Sequence, residues 1–192
     1  MKLYIKSSLD LDQLRNAAKE SRTSHLFNLL DEQNSQERGE YTEYIKRYVL
    51  TYLRTKLDSE INEIQQDVIS ICEEYNLDLI DVLDAISRSL QDLEGKTVGN
   101  NLTMHITDGD ELQFAGEGGA NYVIFWTDDK LYAKIDWGFS TYLSNLVSLC
   151  HDSLDVAESK GEKLLDTIID QIKNIVTSRI SSYLKYNPPK LQ

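Results

Sequence analysis

Carboxylates at helical spacing are the first residues in this 192-residue chain whose pattern could carry chemistry. Glu60, Glu63, Asp67 and Glu74 follow one another at intervals of three, four and seven. That spacing puts them on one helix face, away from the apolar stripe of Ile61, Ile64, Val68 and Ile71. Asp78, Asp81 and Asp84 then step by three. Acids one helical turn apart stand about 5–6 Å from each other, close to the spacing of phosphates along a nucleic-acid strand. Such a row can imitate a nucleic-acid backbone and occupy the Arg/Lys channel of a nucleic-acid-binding protein. The plainer alternative is a solvated face that keeps the protein in solution. Between residues 57 and 94 eleven acids meet one base, Arg88, so compensation at i+4 is nearly absent. Like-charge repulsion of that kind costs stability.

The net charge of −12 is concentrated in that block, whereas residues 1–56 hold ten basic and eight acidic side chains. An acidic block repels nucleic acid and anionic lipid and attracts basic protein surfaces. The expected partner is therefore a basic protein surface; direct nucleic-acid binding is disfavoured. A second acidic row, Asp152, Asp155, Glu158, Glu162, Asp166 and Asp170, is interleaved with Lys160, Lys163 and Lys173. Ordinary pairing within the helix accounts for it.

Other polar constellations lack the order their chemistry requires. The segment His105-Ile-Thr-Asp108-Gly-Asp110-Glu111 offers imidazole and carboxylates, but not the Asp-x-Asx-x-Asx-Gly order of a calcium loop nor a second His for zinc. Gly116-Glu-Gly-Gly119 precedes a strand pattern rather than a helix, and no Lys-Ser/Thr follows, so it reads as a hairpin loop. His25, His105 and His151 are scattered, without a Gly-x-Ser-x-Gly or Cys/His arrangement. Cys72 and Cys150 both lie in apolar helical patterns and read as reduced core thiols, a disulfide being the lesser alternative. No catalytic residue, metal ligand or cofactor site is predicted, and a non-enzymatic protein is expected.

Eleven tyrosines occur, and Tyr41, Tyr44, Tyr48 and Tyr52 recur along one helical stretch beside Lys46, Arg47 and Arg54. Large amphipathic rings next to bases suit an interface. A helix seam inside the fold is the plainer account of them, and pairing with a second copy makes a homodimer the alternative assembly.

These residues must be carried by long helices. Glu40 to Tyr75 contains neither Pro nor Gly, and its apolar side chains recur at helical spacing. A helix of that length reaches about 50 Å at 1.5 Å per residue, so other elements must cover its stripe. Before it, Lys2 to Lys6 alternates as a short strand, a helix runs to Arg22, and Leu26, Phe27, Leu29 and Leu30 suggest a second short helix capped by Thr23 or Ser24. The polar run Asp31 to Gly39 reads as an exposed, mobile loop. Asn76 is the natural stop of the long helix, because Asn tolerates a left-handed C-cap. The residues from Leu77 to Leu93 form the next amphipathic helix, closed by Gly95; a single rod over 40–93 is the alternative.

After Gly95, glycines and β-formers set out four strands: 102–106, 111–115, 122–127 and 131–137. Asp108-Gly109 is a two-residue hairpin signal, Asp128-Asp129 closes another, and Tyr122 to Trp126, apolar on both faces, is the most buried strand. Two helices follow, Thr141 to Ser159 and Glu162 to Tyr186, broken at Lys160-Gly161; one long bent helix is the alternative. Pro188-Pro189 ends the regular structure. The expectation is an α+β protein with a long central helix and a four-stranded antiparallel meander. It is read as one domain, with a helical half (1–95), the meander (96–138) and C-terminal helices (139–187).

No run approaches the 18 apolar residues of a membrane span. The start, Met1-Lys-Leu-Tyr-Ile-Lys-Ser-Ser8, lacks the apolar core of a secretory signal, so a cytoplasmic location is expected. Those eight residues resemble the opening of many small proteins of bacteriophages and mobile elements. The short, acidic, motif-free profile is similar to that of several anti-CRISPR proteins. The resemblance implies an inhibitor of a host nuclease or another nucleic-acid-binding machine; it carries no site residues.

Overall fold

Helix α1 runs Ser24–Tyr75, well beyond the start expected at Glu40. The computed structural model describes residues 24–99, 101–150 and 154–187, so the strand at 2–6 and the helix ending near Arg22 lie outside the described residues. The mobile loop expected at 31–39 is overturned, and the short helix before it is simply the first part of α1. Polarity was a poor loop signal there. Glu32, Gln33, Gln36, Glu37 and Arg38 are good helix formers, no Pro intervenes, and the one glycine, Gly39, costs only about 1 kcal/mol in a helix interior. Met1–Tyr44 and Ile45–Gln192 separate into two compact units. The hydrophobic core of the described residues lies in the second.

Within that unit the buried stripe of α1 is Val49, Leu53, Leu57, Ile61, Ile64, Val68 and Cys72, steps of three or four that keep one face inward. Asn76 ends the helix with φ 51°, and Leu77 N–H returns to the Cys72 carbonyl at 2.8 Å, which satisfies an otherwise orphaned helix-end carbonyl. The single rod over 40–93 is thereby excluded. Asp78 then caps helix α2, Leu79–Leu90, its carboxylate accepting from Ile80 N–H at 2.8 Å and Asp81 N–H at 3.3 Å. Val82, Leu83, Ala85, Ile86 and Leu90 form its buried face.

A 3₁₀ turn, Gln91–Leu93, and Gly95 at φ 72° lead into the sheet. Five strands, not four, form an antiparallel meander in chain order: β1 Thr97–Val98, β2 Leu102–Ile106, β3 Leu112–Ala115, β4 Asn121–Thr127 and β5 Leu131–Ile135. The added β1 is two residues long, too short to show a strand period in the sequence. Cross-strand register places Met104 opposite Phe114, Phe114 opposite Val123, and Leu112 opposite Phe125. These side chains are buried and make the core face. Val123, Ile124 and Phe125 are consecutive and all buried, as a strand covered on both faces requires.

The first hairpin differs from its sequence signal. The left-handed residue is Asp110, at φ 60°, rather than Asp108-Gly109. Thr107 accepts from Asp110 N–H at 3.0 Å and donates its own N–H to Glu111 at 3.0 Å. This is the three-residue loop in which a turn is followed by one left-handed residue.

Helix α3, Trp137–Cys150, starts four residues before its expected position and packs on β4. A Cβ at Gly138 would stand 2.2 Å from the Asn121 carbonyl oxygen, so only glycine permits this approach. Helix α4 is continuous over Leu154–Tyr186. The break expected at Lys160-Gly161 is overturned: Gly161 is buried inside the helix, where an added Cβ would meet Leu53 Cδ1 at 3.0 Å and Leu143 Cδ2 at 3.1 Å. Its missing side chain serves helix packing, not chain reversal. Gln65, a buried polar side chain of α1, accepts from Leu131 N–H at 2.8 Å and so joins α1 to β5. Arg179 of α4 donates to the Ala85 carbonyl of α2 at 2.7 Å.

Candidate functional site

Helix α1, helix α2 and the cap between them carry all seven carboxylates singled out in the sequence, and their surroundings divide them. Glu60 is half-buried and accepts from Lys173 of α4 at 2.7 Å. Asp78 is consumed by its capping bonds. Asp81 sits in the first turn of α2, where a negative charge is stabilised by the helix dipole. Asp84 pairs with Arg88 at 3.5 Å on the exposed surface. Glu63, Asp67 and Glu74 are exposed on α1, and among the described residues no ion pair engages them. The charge of Glu63 also acts on Lys173, whose pKa is raised first by its hydrogen bond to Glu60.

The bases that compensate Glu60, Glu162 and Asp166 come from other helices, a relation that sequence spacing does not show. Lys56 of α1 holds both Glu162 at 2.7 Å and Asp166 at 2.8 Å on α4. The Tyr52 hydroxyl donates to the same Glu162 oxygen at 2.7 Å. Burial opposes the charge on Lys56, yet the hydrogen bonds to Asp166 and Glu162 hold its pKa above the ordinary lysine value. The bond from Lys56, reinforced by Tyr52, holds Glu162 below the usual carboxylate range. The second acidic row is thus paired across the α1–α4 seam at Glu162 and Asp166, rather than along its own helix.

Of the tyrosines, Tyr48 is 50% and Tyr52 38% exposed, one residue off the buried positions Val49 and Leu53. Tyr52 lies at the rim of the α1–α4 seam through its bond to Glu162. The side chains of Tyr41 and Tyr44 lie outside the described set.

His105 is taken up by Glu94. Its Nδ1 is 3.1 Å from Glu94 Oε1, while Glu94 Oε2 accepts from Ile106 N–H at 2.5 Å. The bond from Ile106, then that from His105, lowers the Glu94 pKa. Asp110 accepts from Gln91. These contacts fasten the 3₁₀ turn to the first hairpin. Among the described residues no group of three or more His, Cys, Asp or Glu is placed to hold a metal ion. Cys72 is buried, and burial followed by the Asp78 charge pushes its thiol pKa up, which favours a packing thiol over a nucleophile. No helix among the described residues is long and apolar enough to cross a membrane.

Comparison with protein-family models, with curated proteins and with solved structures returns no match.

Proposed function

We propose that the protein is a non-enzymatic interaction protein whose acidic α1 face docks on a basic protein surface in place of nucleic acid. The observation that carries this reading is the trio Glu63, Asp67 and Glu74: exposed, on one face, and without an ion pair among the described residues. Asp81 and Asp84 of α2 extend the negative surface. A row that served stability alone would be expected to recruit bases, as Glu162 and Asp166 do from Lys56. Uncompensated charge lowers stability and raises the rate and specificity of association with a complementary surface. The resemblance of residues 1–8 to mobile-element proteins narrows the partner to a host nucleic-acid machine, such as a CRISPR nuclease.

The test is capture from a bacterial lysate at low and high salt, with proteins identified by mass spectrometry. Retention of a nucleic-acid-binding protein at low salt, with release by added DNA or RNA, is expected. Partners indifferent to salt and nucleic acid would contradict the reading. Tyr48, half-exposed beside Lys46 and Arg47, favours a second reading, a structural subunit that self-associates through α1. Light scattering separates the two: a monomer at micromolar concentration removes the second.

A further inference from the structure

Between β4, the start of α3 and the turn Glu117–Gly119 lies a cleft of about 430 Å³, whose walls include Asn101, Glu117, Tyr122, Thr141, Tyr142 and Asn145. That is a volume in which small-molecule sites occur. The rings of Tyr122 and Tyr142 are 5.7 Å apart between centroids, with planes inclined at 46°, so they form two adjoining walls. Phe139 is fully buried and meets both edge-on, at 5.8 Å from Tyr122 and 6.0 Å from Tyr142. It fixes them from behind.

Gly116 completes the arrangement. A Cβ there would fall 2.1 Å from Tyr122 Oη and Cζ. The phenol lies over bare backbone, a position that any larger residue would deny it. Burial first, then Tyr142 and the Glu117 charge, holds the Tyr122 pKa above its ordinary value, so the ring stays neutral at physiological pH. Among the described residues lining the cleft, Glu117 is the one formally charged, and neither Lys nor Arg occurs among them. A neighbouring cleft of about 370 Å³ shares Asn101, Leu102 and Glu117 and again shows no Lys or Arg among its described walls.

We propose that this cleft binds a small organic cation, of the quaternary or methylated ammonium class, against the Tyr122 and Tyr142 rings with Glu117 as counter-ion. Ring faces carry negative electrostatic potential and attract a cation lying within about 6 Å of the centroid. A methylated ammonium suits such walls because its charge is spread over apolar methyl groups, which lose little hydration on entry. The Glu117 carboxylate adds Coulombic attraction, and Asn101 and Asn145 offer amides to polar substituents of the ligand. An anionic ligand would find a carboxylate and, among the described lining residues, no Lys or Arg to pair with. This site is separate from the acidic face of α1 and stands or falls independently of it.

The experiment is NMR titration of the isotopically labelled full chain with choline, with a short peptide carrying trimethyllysine, and with 3,3-dimethylbutanol, the neutral isostere of choline. Saturable shifts centred on Glu117, Ala120, Tyr122 and Gly138, which line the cleft, are expected with at least one cation. Response to choline alone identifies a free metabolite as the ligand source, and response to the peptide identifies a modified protein tail. The isostere should bind about tenfold more weakly or worse. Glu117→Gln, in an exposed turn, should weaken cation binding several-fold; Tyr142→Phe should retain it and Tyr142→Leu should lose it. No saturable shift with either cation, equal affinity for the isostere, or wild-type affinity in both Glu117→Gln and Tyr142→Leu would overturn the proposal.

Discussion

Lys173 Nζ of α4 lies 2.7 Å from Glu60 Oε2 of α1, and this contact separates Glu60 from the carboxylates that follow it on the same helix face. Glu60 belongs to the α1–α4 seam, together with Lys56, Glu162 and Asp166. Glu63, Asp67 and Glu74 do not. A charge reversal meant to probe recognition should therefore spare Glu60, whose loss would leave Lys173 unpaired beside the seam.

Gln65→Leu should destabilise the protein by about 1–3 kcal/mol, because the buried Leu131 N–H would lose its acceptor while the apolar volume is nearly kept. Denaturant unfolding measures this. A change within experimental error would mean that water or another group replaces the glutamine oxygen.

Two glycines should respond differently to alanine. At Gly138 the added Cβ meets a backbone carbonyl oxygen at 2.2 Å, which no side-chain rotation relieves. Gly138→Ala should cost about 1–3 kcal/mol or more. At Gly161 the neighbours are the methyl ends of Leu53 and Leu143, at 3.0 and 3.1 Å. These can shift by tenths of an ångström, and alanine gains about 1 kcal/mol in helix propensity. Gly161→Ala should thus stay within about 1 kcal/mol of wild type, whereas Gly161→Leu should destabilise by overpacking. Thermal melts of the three variants check the order.

The Glu162 ion pair makes a pH prediction. Its folded pKa is held below the ordinary value of 4.5 by Lys56 and Tyr52, so its contribution is present above that value and is lost as pH falls through the folded pKa. For a pair this exposed the contribution is no more than about 1 kcal/mol. Glu162→Gln should therefore be less stable than wild type at neutral pH, and the two should converge below pH 4.5. Lys56, its pKa raised, stays charged throughout this range. Unfolding curves at several pH values measure the gap; a difference that persists in acid would contradict the assignment.

Much of this fold was legible where local chemistry and tertiary packing agree. Asn76 could be named as a helix stop because few residues accept its positive φ, and the strands from Leu102 to Ile135 are bounded by turn residues. The misreadings arose where one residue type serves two ends. Gly161 looks like a breaker, but its absent side chain makes room for Leu53 and Leu143. The polar run at 31–39 looks like a loop, but nothing in it breaks a helix. Tyr48 and Val49 are adjacent and both suit a buried stripe, and the tertiary packing chose Val49. The seven acids could be found by spacing. Their division could not, because Lys173 lies more than a hundred residues from Glu60. The Tyr122–Tyr142 cleft left only a faint sequence signal, the glycine-rich turn ahead of a tyrosine-led strand.

The most direct measurement is partner capture by wild type and by the triple variant Glu63→Lys, Asp67→Lys, Glu74→Lys, with far-UV circular dichroism as the folding control. The three positions are exposed, so the helical spectrum should persist. If α1 presents a nucleic-acid-like face, wild type retains a nucleic-acid-binding protein that added DNA or RNA displaces, and the triple variant retains none of it. Retention of the same proteins by both, or of none by either, would contradict the account.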